Sequence, residues 1–202
     1  TKIHTGVLNE EFRSELITNI LPYWMKRMVD EEYGGFHGRR DGYDHLELKS
    51  DKAIILNTRI LWTFSHAAYV LGDNNYKRVA DRAYQYITRH FIDPQFRGVY
   101  WMVNFEGNPV ATKKQVYAQA FAIYAFVEYF KAKGKKESLE HAIDLFHLIE
   151  KHSFDQQENG YLEAFDREWN LLEDLRLSDK DANEKKTMNT HLHVLEAYTS
   201  LY

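Results

Sequence analysis

Apolar residues recur at intervals of three and four along most of the chain, which predicts a largely helical protein. The first such stretch, residues 9–29, is apolar on one face and polar on the other. It predicts an amphipathic helix that begins at an Asn9 cap and bends near Pro22. Residues 52–71 differ, because they are apolar on nearly every face apart from isolated polar positions. A helix of that kind is expected to be buried.

One structural unit is predicted three times: an amphipathic helix, a turn with short strands, and an apolar helix. The glycines that precede the strands, Gly35, Gly98 and Gly160, are 63 and 62 residues apart (98 − 35 and 160 − 98). A nearly constant period of helix pairs indicates a helical array. The amphipathic helices are predicted at residues 9–29, 75–92 and 135–152, the hairpins near 34–48, 98–110 and 160–171, and the apolar helices at 52–71, 114–130 and 186–202.

The apolar helices favour a closed arrangement over an open solenoid. They are too apolar to face solvent, and their polar residues stand singly, as expected for helices that surround a central pit. We therefore predict an all-α fold, three helix pairs of an (α/α) toroid, with all hairpins at one end. Such toroids close with six pairs, and the sequence ends at Tyr202 without a glycine cap. We expect residues 1–202 to be the N-terminal half of a single barrel domain.

Composition narrows the functional classes. The chain has 202 residues, 44% of them hydrophobic, so it can bury a sizeable core. Its net charge of −4 comes without a long basic run, which argues against a nucleic-acid partner. It contains no cysteine, which excludes disulfides and thiolate metal sites and agrees with a reducing compartment. We expect a cytoplasmic protein with no membrane association, since no long apolar run is present.

The candidate site residues lie near the predicted N-termini of the three apolar helices. They are Arg59, Tyr117, and Asn189 with His193. Helix N-termini favour negative charge, so several directed at one point suit an oxyanion or enediolate. Each residue also has an ordinary explanation: a buried ion pair for Arg59, packing for Tyr117, and a bond to Glu196 for His193. Their similar position on three helices favours a site.

Aromatic residues on the predicted hairpins, among them Trp101 and Trp169, have two possible roles. Beside polar groups they can bind the C–H faces of a sugar, but a hairpin also needs a small core of its own. The sequence leaves both roles open, and we predict that Trp101 and Trp169 bind the substrate at the rim of the site.

No metal and no cofactor are expected. His191 and His193 are two residues apart, so they point to different faces of a helix. We expect His191 to support the site rather than act in it. The glycine-rich stretch near Gly35 matches neither a phosphate-binding loop nor a dinucleotide fingerprint.

Three segments resemble a known family. The run Met188-Asn-Thr-His-Leu-His-Val-Leu-Glu-Ala-Tyr-Thr199, with Leu56-Asn-Thr-Arg-Ile-Leu-Trp62 and Lys114-Gln-Val-Tyr-Ala-Gln-Ala-Phe-Ala-Ile-Tyr124, is similar to the cellobiose 2-epimerase branch of the N-acylglucosamine 2-epimerase superfamily. The resemblance extends over all 202 residues. It implies an (α/α)6 barrel and cofactor-free inversion at C2 of the reducing-end glucose or mannose of a β-1,4-linked disaccharide such as cellobiose, lactose or mannobiose.

The resemblance also implies roles for single residues. Arg59 would steady the intermediate, and Tyr117, Asn189 and His193 would contact the sugar or assist ring opening. The two histidines that serve the family as general acid and base belong to the second half of its barrel, after residue 202. We therefore expect residues 1–202 alone to lack the full catalytic set. We expect a monomer or a weak homodimer.

Other functions remain possible on the same pattern. Related N-acyl sugar 2-epimerases and aldose-ketose isomerases share the barrel. A glycoside hydrolase would need a carboxylate pair, for which Glu163, Asp166 and Glu196 are the candidates. A non-catalytic helical scaffold would present a concave face for a peptide.

Overall fold

A computed structural model describes the chain from Thr5 to Tyr202, with side chains from Asn9 onward. Short strands lie between the helices: β1 (Lys52–Ala53), β2 (Met102–Val103), β3 (Pro109–Ala111), β4 (Lys114–Gln115) and β5 (Ala164–Phe165). The α-helices are α1 (Thr5–Glu15), α2 (Leu21–Arg27), α3 (Ile54–Leu71), α4 (Asn74–His90), α5 (Val116–Lys133), α6 (Lys136–His152) and α7 (Met188–Leu201).

The first outer helix differs from the prediction at its start and in its middle. It begins at Thr5, so Asn9 lies inside α1 and does not cap it. A π-helical turn, Leu16–Ile20, joins α1 to α2, and the Leu21 amide donates to the Leu16 carbonyl. Pro22 follows at the start of α2. Proline has no N–H to continue the α-helical hydrogen-bond ladder, and the wider turn lies where that ladder is interrupted.

The predicted outer and inner helices are present, but their pairing differs from the prediction: α4 and α6 each pack mainly on the inner helix that precedes them, not on the one that follows in the same predicted unit. The inner helices α3, α5 and α7 lie side by side, because α5 packs against both of the others, while α4 packs on α3 and α6 on α5. The middle inner helix is buried along most of its length, which explains why its sequence is apolar on nearly every face. The outer helix α4 buries one stripe and exposes the rest. None of the described helices has both the length and the apolarity that crossing a membrane requires.

The hairpins are small and linked to one another. Strand β1 pairs antiparallel with β2, and β4 pairs antiparallel with β5. Each pairing joins the start of one inner helix to the hairpin of the next repeat, so the hairpins and the N-termini of the inner helices lie at one end. The sequence predicts that common end but gave no sign of the pairing between repeats.

A buried or half-buried ion pair fixes each hairpin to its inner helix. Lys52 Nζ lies 2.7 Å from Asp30 Oδ2, and Lys114 Nζ lies 3.0 Å from Asp93 Oδ2. In the third repeat Lys186 Nζ lies 2.7 Å from Asp155 Oδ2. The lysines are 62 and 72 residues apart (114 − 52 and 186 − 114). They give the register in which the three repeats can be compared.

The central pair lies in the most closed surroundings. Both of its side chains are fully buried, and Arg167 adds a second cation to Asp93 at 2.9 Å. Burial alone would raise the pKa of Asp93, but the hydrogen bonds from Arg167 and Lys114 outweigh it and hold that pKa below the ordinary range. Burial lowers the pKa of Lys114 to about 8, against the opposing effect of its bond to Asp93. The structure thus buries the charges of Asp93 and Lys114 in direct contact with each other, which offsets the cost of removing them from water.

Candidate active site

The lysine register places Arg59, Phe121 and His193 at the same position of the three inner helices, 62 and 72 residues apart (121 − 59 and 193 − 121). Their side chains meet. Arg59 Cζ lies 5.1 Å from the centre of the Phe121 ring, and the Phe121 and His193 ring centres are 4.5 Å apart. Equivalent positions on neighbouring helices of a ring face the same way, so these three side chains belong to the inner, concave face.

Tyr117 completes the group, one turn before Phe121 on α5. Its hydroxyl lies 3.4 Å from Arg59 Nη2, and its ring meets the His193 ring edge to face at 4.8 Å. We call Arg59, Tyr117, Phe121 and His193 the axial cluster. Three of the residues predicted from the sequence are therefore in one place, contributed by three different helices.

The charge of Arg59 is not neutralised within this cluster. The side chain is exposed, and among the residues that the structure describes no carboxylate forms an ion pair with it. Its guanidinium instead lies over the face of Phe121, a cation–π contact. The ordinary explanation of Arg59 as half of a buried ion pair is wrong, and the cation is available to an anionic group on the concave face.

His193 has one polar partner on its own helix. Its Nδ1 lies 3.1 Å from Glu196 Oε2, so the bond foreseen as the ordinary explanation is present. An ionised carboxylate only accepts hydrogen bonds, so Nδ1 carries the proton in this contact. Within the described part of the chain, Nε2 has no hydrogen-bond partner. The imidazole is thus held on one side and free on the other.

A second polar layer lies further along the same helices. Trp62 stacks on His66 of its own helix at 5.0 Å and on Tyr124 of α5 at 5.2 Å. His66 Nδ1 lies 2.7 Å from Glu128 Oε1. Burial raises the pKa of Tyr124, and the nearby Glu196 and Glu128 carboxylates add to that effect. Sequence reasoning did not assign Trp62 to the site. The repeat register would have indicated it, because Trp62 and Tyr124 are equivalent positions.

Asn189 lies near the cluster in sequence but has a different setting. It is exposed at the start of α7 and lines a cavity of about 180 Å³ beside Glu163 and Thr187. The described contacts do not join it to Arg59 or Tyr117. The other residues that line this cavity come from the long segment before α7: Leu175, Arg176, Leu177, Asp181, Ala182 and Glu184.

Trp101 lies at the end of the toroid that carries the inner-helix N-termini. Its carbonyl accepts the Ile54 amide at the first residue of α3, at 3.1 Å. The indole is half-buried, and Lys113 Nζ lies 5.4 Å from the ring centre. Its place close to the mouth is compatible with the predicted sugar contact.

Trp169 is a packing residue, and the prediction that it offers a face to a sugar is wrong. Only 7% of it is exposed. Its indole N–H donates to the Phe96 carbonyl at 2.9 Å, and its ring stacks on His152 at 4.8 Å. A Cβ at Gly98 would lie 2.7 Å from the indole, so the glycine makes room for it. Of the two roles that the sequence left open for hairpin aromatics, Trp169 takes the structural one.

His191 has the supporting role that the sequence predicts. Its Nε2 accepts the Tyr161 backbone N–H at 2.9 Å, and its Nδ1 lies 2.7 Å from the Thr187 carbonyl. A Cβ at Gly160 would come within 2.7 Å of Nε2. The ring therefore ties the third hairpin to α7. Over the described residues, no group of three or more His, Asp or Glu is placed to hold a metal ion.

The carboxylates considered for hydrolysis already have partners. Glu163 is 3% exposed and accepts from the Thr187 amide and the Thr190 hydroxyl, both at 2.6 Å. It therefore anchors the start of α7, whose N-cap is Thr187. Asp166 accepts backbone amides of its own turn, those of Glu168 and Asn170. Neither is a free acid or base facing the axial cluster.

Comparison with known proteins agrees with this architecture. The family model of N-acylglucosamine 2-epimerase (GlcNAc 2-epimerase) matches residues 21–202. The chain is 56% identical over 196 residues to a cellobiose 2-epimerase from Bacteroides fragilis, covering 97% of this chain and 50% of that protein. It is 46% identical over 192 residues to one from Ruminococcus albus, covering 95% and 49%.

Solved structures give the same result. The structure of cellobiose 2-epimerase from Bacillus thermoamylovorans superimposes with a TM-score of 0.93 at 43% identity, over 98% of this chain and 50% of that one. The chain thus spans about half the length of the relatives it matches, and it matches half of an (α/α)6 barrel, as predicted. With most of its residues matched by the family model, the chain belongs to the N-acylglucosamine 2-epimerase family.

Proposed function

We propose that this chain is the N-terminal half of a single barrel domain that inverts C2 of the reducing-end sugar of a β-1,4-linked disaccharide, cellobiose being the first candidate. The observation that carries the proposal is the axial cluster. Arg59, Tyr117 and His193 come from three helices and meet around Phe121, with the arginine charge unneutralised. The cellobiose 2-epimerase relatives support the choice of substrate class.

The reaction needs an anion to be stabilised. Once the sugar ring is open, a base removes the proton from C2, and the electron pair of that C–H bond forms the C1–C2 double bond of an enediolate. The negative charge then rests on the C1 oxygen. Return of a proton to the other face of C2 gives the epimer, so the step is redox-neutral and needs no electron acceptor. The charge on oxygen is what the protein must stabilise.

The axial cluster supplies groups for this purpose. The Arg59 guanidinium and the Tyr117 hydroxyl can both donate to the C1 oxygen, and the nearby N-termini of the inner helices favour the same charge. His193 can accept or donate a proton at Nε2 when the ring opens. Asn189 and Trp101 would contact the sugar from the mouth. The acid and base at the two faces of C2 are expected from the second half of the barrel.

Two alternatives are less well supported. A hydrolase would need two free carboxylates on either side of the glycosidic oxygen. Glu163 and Asp166 are occupied by backbone and hydroxyl donors, and Glu196 is bonded to His193. A peptide-binding scaffold would leave the unneutralised Arg59 without a role.

The test is incubation of the full-length protein with cellobiose in deuterated water. We expect the C2 epimer, with deuterium at C2, and no release of monosaccharide. Lactose and N-acetylglucosamine in parallel reactions distinguish the disaccharide epimerase from an N-acyl sugar epimerase. A ketose as the main product would point to the isomerase, free glucose to the hydrolase, and absence of exchange at C2 would rule out the proposed reaction.

A further inference from the structure

Glu196 lies one turn after His193 on α7 and fixes the imidazole through Nδ1, at 3.1 Å. We propose that Glu196 is a positioning residue, which holds His193 in the tautomer that leaves the Nε2 lone pair facing the concave side. Glu196 is not expected to touch the reacting atoms. Its part in the reaction rests on the proposed function, whereas its effect on the tautomer does not.

The His193 ring is confined on several sides. Phe121 lies against it with ring centres 4.5 Å apart, and Tyr117 meets it edge to face at 4.8 Å. These contacts restrict where the ring can lie, but neither is a polar contact to a ring nitrogen. A half-turn of the ring about its bond to Cβ exchanges the sites of nitrogen and carbon at little steric cost. Only a polar partner distinguishes the two orientations.

Glu196 is the described residue that makes this distinction. Its carboxylate can accept a hydrogen bond but cannot donate one, so it selects the ring orientation and the tautomer with hydrogen on Nδ1. In the neutral imidazole the other nitrogen then carries the lone pair. A residue that accepts a proton from the substrate must have the nitrogen that faces it bare beforehand, and the contact with Glu196 provides that.

The charges around the ring are compatible with this arrangement. Arg59 approaches from α3 and lies over the Phe121 ring, and Tyr124 and Glu128 lie on α5 in the next layer. Glu196 is the carboxylate in direct contact with the imidazole. Its side chain is 44% exposed and that of His193 is 23% exposed, so the contact orients the ring more than it stabilises the fold.

The first measurement is the tautomer of His193, read from two-bond ¹H–¹⁵N correlations of the full-length protein at a pH where the imidazole is neutral. The His193→Ala variant identifies the signals. We expect hydrogen on Nδ1 in the unaltered protein and in Glu196→Gln, whose amide oxygen can still accept. We expect Glu196→Ala to shift the population toward hydrogen on Nε2. Glu140→Ala, an exposed glutamate on α6, is the matched control and should change nothing.

The second measurement is kinetic. Glu196→Ala should lower kcat about tenfold, the scale of one hydrogen bond to a charged group, with little change in KM, and Glu196→Gln should recover most of the loss. Hydrogen on Nε2 in the unaltered protein, or a tautomer that ignores Glu196→Ala, overturns the proposal. A changed tautomer with unchanged kcat also overturns it. An absence of any epimerase activity would instead defeat the proposed function and leave the tautomer result to stand.

Discussion

Two sets of equivalent positions in the three repeats follow opposite rules. The ion-pair set has the same chemistry every time: Asp30 with Lys52, Asp93 with Lys114, and Asp155 with Lys186. The axial set differs every time, with an arginine, a phenylalanine and a histidine at one position. Both sets are generated by the same repeat: the lysines lie just before the three inner helices, and the axial residues lie on those helices.

The difference reflects what each position does. The aspartate and lysine close a hairpin onto an inner helix, a task that is identical in each repeat and therefore solved in the same way. The axial positions meet at one point on the concave face, where, under the proposed function, a cation, an apolar ring and an imidazole would act differently on one substrate. Identical ion pairs in every repeat, together with different residues at the equivalent axial positions, are typical of a repeat protein that has one asymmetric site.

The largest effect is expected from breaking the central ion pair, Asp93 with Lys114. Asp93→Asn would leave Lys114 buried without a counter-charge and would weaken the contact between Arg167 and residue 93. We therefore expect a loss of about 3–5 kcal/mol in the free energy of unfolding. The matched variant Asp155→Asn should cost much less, because each side chain of that pair is 23% exposed. Urea denaturation of the full-length variants measures both. Equal losses in the two variants would contradict the comparison.

The next largest effect is expected in the axial cluster. Arg59→Ala and His193→Ala should each lower kcat by about 10²-fold or more and change the unfolding curve much less than Asp93→Asn, because neither side chain belongs to the buried core. Arg89→Ala and His147→Ala, on exposed positions of α4 and α6, are the matched controls. Initial rates of C2 epimerisation and urea curves together separate the roles. A large loss of stability without loss of kcat in the folded fraction would assign these residues to the core.

The smallest effect is the acid dependence of stability. The hydrogen bond from Lys186, with the Gln157 and Glu158 amides, lowers the pKa of Asp155 to about 2 from its ordinary 3.8. Since the folded state binds this proton less readily than the unfolded state, the stabilisation is present above pH 3.8 and is lost as the pH falls toward 2. Lys186→Met should make the fall less steep. Urea midpoints at about pH 5, 4 and 3 measure it, and identical slopes would contradict the assignment.

Much of the site could be predicted because its residues stand out against an apolar helix. Arg59, Tyr117 and His193 were identified as isolated polar groups near helix starts, and they do meet. Trp169 was misassigned because the local sequence pattern of a hairpin aromatic is the same whether the side chain faces solvent or, as here, fills the space over Gly98. Trp62 was passed over because one more aromatic on an apolar helix carries no local sign of its neighbours.

The sequence by itself determined the helices and the period, because both depend on local spacing of apolar residues and on glycines that only a turn requires. It also determined the family through motifs on the inner helices. The tertiary structure alone decided which elements and side chains share a point in space: that Phe121 contacts both Arg59 and His193, that Glu163 binds the Thr187 amide at the start of α7, that α4 packs on α3, and that hairpins pair between repeats. These contacts join residues far apart in the chain, and no local pattern encodes the distance between two helices that pack.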